Sequence, residues 1–177
     1  MDGTVWEITT GKADQKTFTR MPYLDELNFK TASLHWPILA YVREDGRLMI
    51  GFISTGRMNE PANDQPAGQP FVTCGNETNW VAAAVGPDAL IALKADGTLW
   101  KWSLINREPI TDVVQTSPVR LGIHNDWTAL ASSPWYGTYA LAADGSLWLW
   151  PAGGFQSLVM QPRKRPEFIA NILGKAD

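Results

Sequence analysis

Four Asp-Gly dipeptides divide this 177-residue chain into units of similar length, and no other feature restricts its fold as strongly. They are Asp2-Gly3, Asp45-Gly46, Asp96-Gly97 and Asp144-Gly145, at separations of 43, 51 and 48 residues. The residues after each dipeptide are alike: Gly3-Thr-Val-Trp6, Gly46-Arg-Leu-Met49, Gly97-Thr-Leu-Trp100 and Gly145-Ser-Leu-Trp148. Two of the four continue as Trp-x-Trp, at Trp100/Trp102 and Trp148/Trp150. Upstream, Asn28-Phe29, Asn79-Trp80 and Asp126-Trp127 begin segments that end on the dipeptide 19, 19 and 20 residues later, counted inclusively. Downstream, Pro118 and Pro166 each lie 22 residues after the Asp of their unit.

Within a unit the pattern is one of short strands. Leu90–Ala95, then Asp-Gly, then Thr98–Trp102 reads as a hairpin. Asp-Gly is expected to supply the positive φ angles of a two-residue type I′ turn. The Ala-rich leading segments, Val81–Val85 and Ala129–Ala131, suit a strand where backbones crowd together. Pro118-Val-Arg-Leu reads as an outer strand, because proline is tolerated at a sheet edge. Four such strands in about 45–50 residues make a β-propeller blade.

Asn79–Ser103 and Asp126–Pro151 resemble the repeat of the regulator-of-chromosome-condensation superfamily. There a Trp-Val-Ala-Ala-Gly-like strand precedes an Ala-Leu-x-x-Asp-Gly-x-Leu-Trp-x-Trp-Gly hairpin. The resemblance covers nearly the whole chain and is weakest in residues 7–27. It implies a propeller, often of seven blades, that binds proteins; bacterial relatives include a β-lactamase inhibitor. The chain departs from that pattern at Ser103 and Pro151, which stand where the family has Gly. The family's Asn-x-x-Gly-Gln-Leu-Gly loop is also missing, so activities attached to those loops are not carried over.

The expected division is a partial blade over 1–27, blades over 28–78 and 79–122, and a blade plus the start of the next over 123–177. That is an all-β chain of about three and a half blades, whereas closed propellers use 4–8. Two explanations fit: a piece of a longer array, or a ring completed by a second copy. We prefer the first, because two copies would both contribute outer half-blades.

Composition removes several classes. Fifteen basic against 18 acidic residues, net −3, give no electrostatic footprint for nucleic acid or anionic lipid. No apolar run is long enough to span a membrane as a helix. One Cys and two His cannot build a disulfide framework or a structural zinc site. No metal-ligand spacing, phosphate-binding Gly loop or Ser/His/Asp motif is visible, so neither cofactor nor catalytic residue is expected.

Nine Trp residues invite a ligand-stacking role, but repetition assigns most to packing. Trp6, Trp80, Trp100, Trp127 and Trp148 recur at equivalent positions and are expected to hold blades together. Trp102 and Trp150 are placed at strand ends near loops. Trp36, Trp135 and Tyr136 differ, because they fall between the first and second strands of their units. Such loops gather on one propeller face, where aromatic residues serve as contact anchors. The repeated aspartates, Asp45, Asp96 and Asp144, belong to turns rather than to a carboxylate cluster. His35 and Arg163-Lys164-Arg165 read as solvated loop residues, 54–69 as an exposed insertion, and Cys74 as a small core residue.

The favoured function is therefore non-catalytic binding of another protein through loops on one face. The alternative is a lectin-like module using exposed aromatics such as Trp36 and Trp135. A propeller hydrolase or lyase comes third.

Overall fold

Alternation along the second unit places its strands between two neighbours. In β8 (Ala89–Lys94) all six residues are buried. Leu90 and Ala92 pack toward the preceding unit, Ile91 and Leu93 toward the following one. A strand covered on both faces reads as a continuous apolar run, here Ala-Leu-Ile-Ala-Leu. Each leucine of this kind contributes about 1.5–3 kcal/mol of burial.

The computed structural model describes residues 6–10, 16–20, 27–35, 37–52, 71–104, 117–133, 136–151 and 165–174. Asp2-Gly3, Trp36, Trp135, Arg163, Lys164 and the 54–69 segment lie outside them. Among the described residues, β1 (Trp6–Thr10) and β2 (Lys16–Arg20) form a two-stranded antiparallel sheet. Three four-stranded antiparallel sheets come next, each in sequence order. The first holds β3 (Phe29–His35), β4 (Ile38–Arg43), β5 (Leu48–Phe52) and β6 (Val72–Thr73). The second holds β7 (Trp80–Val85), β8, β9 (Leu99–Ser103) and β10 (Val119–Leu121). The third holds β11 (Trp127–Ser133), β12 (Gly137–Ala142), β13 (Ser146–Pro151) and β14 (Glu167–Asn171). These are propeller blades stacked face to face, with β3, β7 and β11 adjacent at the inner edge.

The Asp-Gly turn is built differently from the expected two-residue turn. Lys94 N donates to Thr98 O and Gly97 N to Lys94 O, so three residues, Ala95–Gly97, make the loop. Only the glycine has positive φ: 79° at Gly46, 78° at Gly97 and 87° at Gly145. This is a tight turn closed by a left-handed Gly, not a type I′ turn. The aspartate prefers its ordinary conformation because its carboxylate caps the strand after it. Asp45 Oδ1 accepts from Arg47 N at 3.1 Å, Asp96 Oδ1 from Thr98 N at 3.0 Å and Asp144 Oδ1 from Ser146 N at 2.8 Å. The Thr98 hydroxyl, then its amide, hold the Asp96 carboxyl below its ordinary range.

Glycine has a second role there. A Cβ on Gly46 would meet the carbonyl of Thr78, and one on Gly97 the carbonyl of Asn125. That close approach lets Gly46 O accept from Trp80 N at 3.1 Å, and Gly97 O from Trp127 N at 3.2 Å. Each turn thereby holds the first residue of the next blade. At the third blade Gly145 O accepts from Ile172 N at 2.9 Å.

The inner strands meet at their far ends. Val85 N donates to Ser33 Oγ at 3.0 Å, and Ser33 Oγ lies 3.1 Å from Ser132 Oγ. One hydroxyl of the first blade thus joins the second and third.

Gly97→Ala and Gly122→Ala separate these contributions, because Gly122 also has positive φ (69°) but open space around it. We expect Gly122→Ala to cost about 1–2 kcal/mol in chemical denaturation. Gly97→Ala should cost a further ~1–3 kcal/mol from forced repacking; equal losses would contradict the seam. Ser33→Ala should cost about 1–3 kcal/mol by orphaning the buried Val85 amide, and Ser132→Ala less.

Candidate functional site

The ends of β3, β7 and β11 that lead into the links to their second strands are brought together by Ser33, Val85 and Ser132. Each stands within four residues of the segment that links its strand to the next. The Ser33–Ser132 contact sets the ends of β3 and β11, from which two of these links start, beside each other. Tyr136 is 59% exposed there, with its amide donating to Ser133 Oγ at 3.3 Å. Trp36 and Trp135 belong to the same links but lie outside the described residues. The corresponding link of the second blade, Gly86–Asp88, is closed by Gly86 N donating to Ala89 O at 2.8 Å, and Asp88 is buried.

Among the described side chains, which do not include that of Trp6, the recurring tryptophans are packing residues. Trp80, Trp102 and Trp127 are 1%, 2% and 7% exposed, and Trp100, Trp148 and Trp150 half-buried. Trp102, at a strand end, is thus deeper than Trp100. It sits against Trp80, ring centroids 5.5 Å apart, as Trp150 sits against Trp127 at 5.1 Å. The Trp100 and Trp148 indoles donate to Thr98 Oγ1 at 2.8 Å and Ser146 Oγ at 3.1 Å. Cys74 is fully buried, and burial pushes its thiol up to about 12, so it is a core residue and not a nucleophile. Arg165 is exposed.

Sequence reasoning missed two features. The first is Lys94, whose side chain is buried in the second blade. Its ammonium lies 4.2 Å from the Trp100 ring centroid and 5.0 Å from that of Trp80, and bonds Glu77 Oε1 at 2.7 Å. The second is a cleft of about 530 Å³ between the second and third blades, lined from β9 and β10 on one side and β11 to β13 on the other. Its walls include Trp127, Trp148, Trp150, Asp126 and Ala142, with Lys101 opposite. Neither has a linear signature, because both depend on which residues the register sets across from one another.

No family model matches the sequence, and no curated protein matches it. Solved structures do. The human protein WBSCR16 superposes with a TM-score of 0.55 at 15% identity, over 93% of this chain and 43% of its own. Prp20p from Saccharomyces cerevisiae, the yeast RCC1, superposes with a TM-score of 0.53 at 14% identity, over 83% of this chain and 39% of its own. Its crystal structure was described together with its binding properties to Gsp1p and histones. The chain spans about two-fifths of the length of these structures. Its three four-stranded sheets, stacked in sequence order, have the fold of the regulator-of-chromosome-condensation type of β-propeller.

Proposed function

We propose that this chain binds another protein, without catalysis, through the face carrying its inner loops. The observation that carries this is the Ser33–Ser132 contact, which joins the strand ends from which two aromatic-bearing links start. A large exposed aromatic beside a fixed backbone suits a contact anchor, because ordering it on binding costs little entropy. Tyr136 meets that description, and Trp36 and Trp135 share its links. The packing tryptophans are committed to the blades and leave the loops as the variable part. Prp20p, whose structure shares this fold, was described as binding proteins, which supports the same class of role here.

The test is affinity capture with the native chain and two variants. Trp135→Ala/Tyr136→Ala alters the loop face, and Val119→Ala alters an exposed outer strand far from it. We expect a partner retained at least tenfold less by the loop variant and equally by Val119→Ala, with both unfolding within about 0.5 kcal/mol of native. Capture unaffected by the loop change would refute the assignment. Saturable binding on a glycan array, lost in the loop variant, would replace it with the lectin reading.

A further inference from the structure

The second and third blades carry the same aromatic frame with different contents. Trp80, Trp100 and Trp102 correspond to Trp127, Trp148 and Trp150 in register and in contacts. Thr98 and Ser146 correspond as acceptors of the Trp100 and Trp148 indoles. Lys94 pairs across the strands with Trp80, and Ala142 pairs the same way with Trp127. In the second blade the frame therefore holds the chain's own ammonium, over two indole faces and against Glu77. In the third the residue at that position ends at a methyl group. Among the described residues no ammonium or guanidinium lies over Trp127 or Trp148. There the cleft opens, with Ala142 among its lining residues.

We propose that this cleft is a binding site for a lysine side chain of a protein partner, seated where Lys94 sits in the preceding blade. Indole faces attract a cation and repel an anion, most strongly where water is displaced. Trp127 and Trp148 line the cleft, Trp148 with Phe168 against its ring at 5.6 Å between centroids, and Asp126 lines it too. Its carboxylate lies 3.7 Å from His124 Nδ1, and the His124 ring stands edge-on to Trp127 with centroids 6.2 Å apart. Asp144 also lines the cleft while capping its own turn. Lys101 and Arg165 stand on the walls, so the site disfavours a strongly basic segment and suits a single lysine among neutral or acidic neighbours. Trp127 and Ser133 lie at opposite ends of β11, about 20 Å apart at the rise of an extended strand. The site is thus separate from the inner-loop face and does not rest on its assignment.

The test uses the full chain and a defined probe, Nα-acetyl-lysine methylamide, with the neutral norleucine analogue as control. Indole N–H signals of Trp127, Trp148 and Trp150 are followed by NMR. We expect saturable shifts at Trp127 and Trp148 with the lysine probe, and at least tenfold weaker binding of the norleucine analogue. Ala142→Lys should abolish the response by filling the seat, while Lys94→Ala should make the Trp80 and Trp100 signals respond as well. No saturable shift in the native chain overturns the proposal. So does equal response to both probes, which would make the cleft merely apolar, or undiminished binding by a folded Ala142→Lys variant. Should either variant fail to fold, the two-probe comparison on the native chain decides by itself.

Discussion

The bond from the Asp-Gly turn of one blade to the first residue of the next fixes everything else in this structure. Its acceptor is a glycine carbonyl and its donor the amide of a tryptophan, Trp80 or Trp127. Without a Cβ the turn comes within hydrogen-bond distance of the neighbouring chain, and the positive φ turns its carbonyl outward. The indole then enters the seam as the amide is held, so one residue closes the backbone and fills the core. Blades joined this way are added one at a time, each packed on its neighbours.

That linkage explains which parts of the fold are legible in the sequence. Asp-Gly, the tryptophans around it and the outer-strand prolines are local and repeated, so the blades, their strand order and their inner edge can be read from spacing. The three-residue form of the turn cannot, because the pull of the Asp carboxylate on the amide two residues later outweighs the usual preference of the dipeptide. Trp102 illustrates another limit. Spacing gives it and Trp100 the same packing role, yet the neighbouring sheet covers Trp102 and leaves Trp100 half-buried.

The sites are less legible than the blades. Tyr136 could be singled out because it interrupts a repeated pattern at a link between strands. The meeting of the strand ends that precede its link and that of Trp36 depends on two serines 99 positions apart, Ser33 and Ser132, which nothing local distinguishes. Lys94 shows the same limit from the opposite direction. It stands two residues before an Asp-Gly, where the other units have Arg43 and Ala142, and its meaning emerges only across the strand pair. A difference between repeats carries more functional information here than any feature the repeats share, since the shared features are already employed in holding blades.

Packed seams commit the tryptophans, and the two proposed recognition surfaces, the inner-loop face and the space beside Ala142, lie outside that packing. The most direct test of the seam is amide hydrogen exchange at Trp80 and Trp127, with the exposed Ile123 as reference. Both tryptophan amides are expected to exchange only with global unfolding, orders of magnitude more slowly than Ile123. Exchange of Trp80 and Trp127 as fast as that reference would mean that the turns do not hold the blades together.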